Sequence, residues 1–233
     1  MSAFPREERL PIFKDINIDW ENSNVLDFGG NRGNLLEDLV ASEYDFNPEN
    51  YTSLDVDPSG LELGQQNFPA SSWVHYNAGN PVYNPNGVTG HALPFRPNTF
   101  DVSVAYSVHS HSTYEQLVWD LTQLKKVTKP GGLIVTTIVD RDLLNLFLYK
   151  RLNEYPEVSI PNDFNHLETY LYFINGNIIA NDLRNTIKKK HLVTVYDVDW
   201  LAEDLTERGF DVTIRNKISA ISQIPLEIKN NER

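Results

Sequence analysis

The chain has 233 residues, 40% of them apolar and 22% charged, with a formal net charge of −12; this is the balance of a globular domain with a substantial core. The acidity disfavours a nucleic-acid partner, whose phosphates select a basic surface. With no cysteine, disulfides, thiolate metal sites and a cysteine nucleophile are excluded, and with no apolar run near the ~20 residues of a membrane span and no apolar core in the N-terminus, a cytoplasmic protein with no membrane partner is expected.

A single domain is expected over 1–233, beginning with an arm at 1–22 and carrying an insertion at 141–194. In the arm, Pro5 and Pro11 prevent one continuous helix, while Phe4, Leu10, Ile12, Phe13, Ile16, Ile18 and Trp20 supply apolar surface. The arm, short helical or irregular, is expected to pack over the ligand edge of the sheet or simply to cover the sheet. Val25-Leu26-Asp27-Phe28 reads as a buried parallel strand. Gly29, Gly30 and Gly33 follow, and Leu35, Leu36, Leu39 and Val40 then recur at helical spacing. A strand, a glycine turn and a helix place a ligand edge beside Asp27, because glycines permit a tight turn and close approach. The Gly-x-Gly-x-x-Gly spacing of a dinucleotide site is not met. Asp27 would also lie unfavourably close to a pyrophosphate, and suits a ligand with an ammonium group better.

Residues 51–58 read as a second strand. Asp55 lies about 20 residues beyond the glycine turn, where a carboxylate can accept both hydroxyls of a ribose. Asp57, just before Pro58, fits a helix cap. A third strand spans 72–76 and ends at Asn77-Ala78. A loop rich in Asn, Pro and Gly, residues 79–92, carries Tyr83 and His91, and its length fits closing over a ligand. Phe100-Asp101-Val102-Ser103-Val104 begins a fourth strand, which ends at Ala105-Tyr106-Ser107. His109 and His111 lie just past it. Leu117, Leu121, Leu124 and Val127 mark a helix over 113–129. Lys129-Pro130-Gly131-Gly132 turns into a fifth strand ending near Val139. A helix at 199–205 stops at Gly209, and strands are expected at 210–214 and 218–224.

Five segments in this order resemble the motifs of class I S-adenosylmethionine-dependent methyltransferases of small-molecule type. They are the glycine turn, the acid Asp55, Leu93-Pro94-Phe95 with Phe100-Asp101-Val102, Pro130-Gly131-Gly132, and Gly209-Phe210 before the last strands. The first departs from the family's Asp/Glu-x-Gly-x-Gly-x-Gly, with Gly30-Asn31-Arg32-Gly33 altering the second and third glycines. The resemblance implies an α/β, Rossmann-like doubly wound sheet of seven mostly parallel strands with an antiparallel last strand. It implies S-adenosyl-L-methionine as cofactor, leaving as S-adenosyl-L-homocysteine. The cofactor residues it implies are Asp27, Gly29, Gly30, Asn31, Gly33, Asp55, Val56, Asn77, Ala78, Tyr106 and Ser107. Asn77 stands where the family carries an acid for the adenine amino group, and an amide oxygen still accepts a hydrogen bond.

Methyl transfer from a sulfonium is an in-line displacement, so positioning and water exclusion supply much of the catalysis. A base is needed where the acceptor holds a proton. His109 and His111 are the candidates. The insertion is rich in aromatic residues, among them Tyr170, and contains His166. It is expected to cap an apolar pocket, so that Tyr106, His109, His166 and Tyr170 contact the acceptor. No third ligand at a suggestive spacing joins His109 and His111, so no metal is expected. The leading function is methylation of oxygen, nitrogen or carbon on a small molecule such as a secondary metabolite. An enzyme of this fold catalysing another reaction, such as a cyclisation, and a non-catalytic binding protein are the alternatives.

Overall fold

The computed structural model describes residues 10–80, 83–140, 168–174, 177–181, 192–215 and 223–231, with the backbone alone described for 168–174, 177–181 and 192–193. In chain order the elements are α1 Leu10–Phe13, β1 Val25–Phe28, α2 Asn34–Val40, β2 Tyr51–Asp55, α3 Pro58–Asn67, β3 Ser72–His75, β4 Phe100–Ala105, α4 Tyr114–Val127, β5 Thr128–Asp140, β6 Glu168–Ile174, β7 Asn177–Asn181, β8 Leu192–Tyr196, α5 Val198–Glu207, β9 Asp211–Ile214 and β10 Gln223–Lys229.

Strands β3, β2, β1, β4 and β5 pair in parallel in that spatial order. On the far side, β10 runs antiparallel to β5, and β9 antiparallel to β10. This gives the expected seven strands, with the antiparallel one last in sequence and seated between β5 and β9. All four β1 residues are buried, because a parallel strand is covered on both faces. On one face Leu26, Leu54, Ile134 and Ile138 pack with Leu117, Leu121 and Leu124 of α4 and Leu201 and Leu205 of α5. On the other, Val25, Val102, Val104 and Val135 pack with Leu35, Leu36 and Leu39 of α2 and with Ile12, Phe13, Ile16 and Trp20 of the arm. The arm thus contributes core as well as cover. Phe13 also lies 6.1 Å, ring to ring, from Tyr106 at the end of β4.

Caps set the helix ends near the ligand edge. Asp57 accepts from the Ser59 N–H at 3.0 Å, with Pro58 opening α3. Thr113 accepts from the Gln116 N–H at the start of α4. The buried Asn230 closes α4 at its other end, donating to the carbonyls of Lys125 and Thr128 at 2.9 and 2.7 Å. These bonds satisfy backbone groups that a helix terminus leaves unpaired.

Two sequence expectations shift. The last strand runs over Gln223–Lys229 rather than 218–224, and residues 216–222 lie outside the described ones. Pro225 argues against a strand interior, but here it sits at the end of the β9–β10 ladder. Its carbonyl accepts from the Arg215 N–H, so the N–H it lacks would point past the last paired residue of β9. Ile224, Leu226 and Ile228 are all buried. The second shift concerns the insertion. Its described part is strand: β6 and β7 form an antiparallel hairpin, β8 pairs with β6, and β8 joins the last two residues of β5 in parallel. The expected aromatic cap falls mostly on residues 141–167 and 182–191, outside the described residues.

Candidate active site

A cavity of about 830 Å³ opens at the carboxyl ends of β1, β2, β3 and β4. This is within the usual size of a small-molecule site, and it is the edge where open α/β sheets bind ligands. Its lining includes Asp27, Gly29, Gly30, Asn31, Asp55, Val56, Ala78, Tyr106, Ser107 and His111.

The glycine turn explains its own composition. Gly29 has φ +78°, and its N–H donates to the Leu54 carbonyl at 2.7 Å, tying the end of β1 to β2. Gly30 passes so close to the neighbouring strand that a Cβ there would stand 2.6 Å from Ser53 Oγ and 2.7 Å from Asp27 Oδ2. Asn31 has φ +48°, the left-handed backbone that asparagine tolerates better than other side chains. The spacing Asp27, Gly29, Asn31, Gly33 is therefore that of the Asp-x-Gly-x-Gly-x-Gly pattern, with asparagine at one left-handed position. The apparent departure is a substitution rather than a change of register. Gly33 caps α2 with φ +81° and shapes the turn from behind the cavity lining.

Two carboxylates anchor this end. Asp27 is 3% exposed and accepts a short hydrogen bond from the buried Tyr51 hydroxyl. Tyr51 gave no signal in the sequence beyond opening an apolar strand. Burial, and then the charge of Asp27, push its hydroxyl well above the ordinary tyrosine range, so it stays a donor. Tyr51→Phe is expected to lower stability by about 1–3 kcal/mol, because it strips a buried carboxylate of a donor; urea unfolding checks this, and an unchanged midpoint contradicts it. Asp55 accepts from the N–H groups of Asn31 at 2.7 Å and Asp57 at 2.8 Å. Burial nevertheless raises its carboxyl above the usual value. The bond to Asn31 locks the glycine turn to the end of β2.

The end of β4 is held from below. Ser107, with φ +58°, donates its N–H to Thr137 Oγ1 at 2.8 Å and accepts from Gln223 Nε2 at 3.0 Å, while Thr137 donates to Gln223 Oε1 at 2.6 Å. The two histidines part company here. His109 is 0% exposed, sits 2.6 Å from Thr136 Oγ1 through Nδ1 and stacks on Phe28. It does not line the cavity. His111 does, and the ring of Tyr83 meets it edge-on at 5.4 Å.

The loop after β3 is ordered by its own hydrogen bonds. Asn80 and Asn84 exchange backbone bonds at 3.0 Å, and Asn80 Nδ2 donates to the His111 carbonyl at 3.1 Å. Asn80, Tyr83 and Asn84 therefore join the lining from across the cavity mouth. Asn77 is turned to a structural use: its side-chain oxygen accepts from Asn84 Nδ2 at 2.9 Å, and it is not in the lining. Asp120 and Gln116 of α4 do line the cavity and escaped sequence reasoning. The available signal was an acid on the apolar stripe of Leu117, Leu121 and Leu124. His166 lies outside the described residues. Tyr170 lies in β6, whose side chains are not described. Strand β8 reaches this region, since Thr194 Oγ1 donates to the Ser112 carbonyl.

The donor set suits S-adenosylmethionine: a recessed acid beside a glycine turn that leaves no room for a Cβ, and a second acid at the end of the adjacent strand. Among the described residues, no group of three His, Asp or Glu is placed to hold a metal ion, and no helix is long and apolar enough to cross a membrane.

Residues 26–136 match the family model described as a methyltransferase domain. No curated protein matches the sequence. Among solved structures, a protein of Pyrococcus horikoshii OT3 is similar at 17% identity and TM-score 0.57, over 96% of this chain and 88% of that one. A glycopeptide N-methyltransferase complexed with S-adenosyl-L-homocysteine is similar at 14% identity and TM-score 0.55, over 96% and 88%. An S-adenosylmethionine-dependent methyltransferase of Mesorhizobium loti is similar at 11% identity and TM-score 0.56, over 94% and 95%. Those identities speak for the fold, and the domain match over residues 26–136 together with the motif order supports a class I S-adenosylmethionine-dependent methyltransferase.

Proposed function

We propose that this chain transfers the methyl group of S-adenosylmethionine to a small-molecule acceptor, such as a secondary metabolite, seated at the end of β4. The observation that carries the reading is the cavity itself, with Asp27, Gly29, Gly30 and Asp55 at the ends of β1 and β2 and Tyr106, Ser107 and His111 facing them from the end of β4. When bound, the cofactor supplies an electrophilic sulfonium methyl.

The chain's residues do the rest. Asp27, held by Tyr51, faces the ammonium of the methionine part. Gly29, Gly30 and Asn31 let the backbone approach, and Asp55 accepts from the ribose hydroxyls with the lone pairs that Asn31 and Asp57 leave open. Val56 and Ala78 flank the base. Tyr106 and Ser107, fixed by Thr137 and Gln223, form one wall of the acceptor site. Excluding water and holding the acceptor in line is the principal catalytic demand. The arm supports this wall through Phe13 and Tyr106. We assign the base, for an acceptor that holds a proton, to His111, because it lines the cavity; His109, wholly buried, positions the turn that carries it.

Asp55→Ala is expected to weaken S-adenosylmethionine binding by about 1–3 kcal/mol, the cost of a charge-assisted hydrogen bond. Since burial raises the Asp55 carboxyl, protonation should begin to erode wild-type affinity at a higher pH than for a free aspartate, and Asp55→Asn should flatten that slope. Incubation with methyl-labelled S-adenosylmethionine and a panel of hydroxyl, amine and activated-carbon acceptors tests the function. Label appearing on a small molecule supports it, and label found instead on protein or RNA overturns the acceptor class.

A further inference from the structure

The cavity is lined by four carboxylates, Asp27, Asp55, Asp57 and Asp120. Three are engaged at the glycine-turn end: Asp27 accepts from Tyr51, Asp55 binds the N–H groups of Asn31 and Asp57, and Asp57 caps α3 and accepts from Asn31 Nδ2. Asp120 stands elsewhere, on α4, one helical turn after Gln116, which lines the same cavity. It is 5% exposed, and a carboxylate so deep in a protein is costly unless it is held. Gln116 Nε2 donates to its Oδ1 at 2.7 Å. His109 Nε2 stands 3.5 Å from its Oδ2, too far for a good hydrogen bond. Its charge reaches the end of β3: the Tyr76 hydroxyl is pushed up to about 12, by burial first and then by Asp120.

The other end of the argument is Asn77. Its side-chain oxygen is committed to Asn84, and it is not in the lining. The carbonyls of Asn77 and Ala78 are committed too, to the Val88 N–H and to Asn84 Nδ2, each at 2.9 Å. The strand end that should read the base therefore offers the cavity little that accepts a proton. We propose that Asp120 is the specificity-determining residue for the nucleoside base, its carboxylate accepting the hydrogen bond of adenine's exocyclic amino group. A carboxylate is acceptor-only. It welcomes an amino group at that position of the purine and repels a carbonyl oxygen. Gln116 fixes its orientation, and His109 backs it from the core, so the fully buried histidine acts on the site through Asp120.

This inference rests on the S-adenosylmethionine reading of the cavity. The test is calorimetric binding of S-adenosylhomocysteine and S-inosylhomocysteine, which differ in carrying an amino group or a carbonyl oxygen at the same carbon. Wild type is expected to prefer the adenosyl compound by on the order of 10- to 100-fold, the worth of a charge-assisted hydrogen bond. Asp120→Asn keeps the volume and an acceptor for Gln116, and its amide can donate to the carbonyl oxygen, so the preference should fall to a few-fold or invert. A variant that binds more weakly yet keeps the full wild-type preference assigns Asp120 a structural role and overturns the proposal. Equal affinity of wild type for the two compounds overturns it with no variant needed. Wild type that binds neither compound removes the cofactor reading itself, and the proposal with it.

Discussion

Gly29→Val is expected to remove cofactor binding and to cost several kcal/mol of stability. Two independent penalties meet at this position. The backbone is held at φ +78°, which costs a residue with a Cβ about 1–2 kcal/mol and is worst for a β-branched one. A Cβ would also overlap the Cγ2 of Val108, and overpacking of this kind costs about 1–3 kcal/mol. Neither can be relieved by a shift of the turn, because the Gly29 N–H is bonded to Leu54 and the Asn31 N–H to Asp55. Val108 in turn opens the stretch that carries His109 and His111. The sum is a large share of the roughly 5–15 kcal/mol by which a domain is stable. A melting curve and a binding titration on the same sample check it, and wild-type behaviour in both contradicts it.

His111→Ala is expected to lower turnover by about 100-fold for a hydroxyl acceptor, the usual scale of general-base loss, with little change in cofactor affinity. The expectation divides by acceptor chemistry. An acceptor that presents a lone pair without a proton to lose needs no base, and its rate should change far less. Tyr83, edge-on to His111 and 61% exposed, should matter to the same acceptors through the orientation of that ring. Full activity of His111→Ala with a hydroxyl acceptor removes His111 from the chemistry. The corresponding change at His109 should act differently. It empties a fully buried position between Phe28 and Thr136, so a loss of stability should accompany any loss of rate.

Much of the fold was legible because the signals were local. Val25–Phe28 followed by glycines can scarcely be anything but a buried strand and a turn, and Asp57-Pro58 announces a capped helix. The site's acids at strand ends, Asp27 and Asp55, followed from the same pattern. Other features depended on information that a linear pattern does not carry. The left-handed φ of Asn31 is a property of the folded turn, so an asparagine in a glycine's place looked like a change of spacing. The burial of His109 against the exposure of His111 to the cavity reflects a single tight turn after β4, in which residues two apart point to opposite sides. The commitment of Asn77 to Asn84 depends on a loop with no periodicity to read. The insertion is a case where a signal was present and passed over. Asn175-Gly176 stands between two runs rich in β-branched and aromatic residues, the strongest short-range mark of a hairpin, and β6 and β7 flank it. The last strand, expected at 218–224, runs on through Pro225 to Lys229, because at the end of the β9–β10 ladder the N–H that proline lacks has no paired residue to meet.

The central claim is that the edge formed by β1, β2, β3 and β4 holds S-adenosylmethionine, and calorimetric titration of the wild-type protein with S-adenosylmethionine and S-adenosylhomocysteine tests it most directly. Saturable binding of both at one site per chain, weakened by about 1–3 kcal/mol in Asp55→Ala, is the predicted result. Wild-type protein that is folded by its melting curve yet shows no binding of either compound would contradict it.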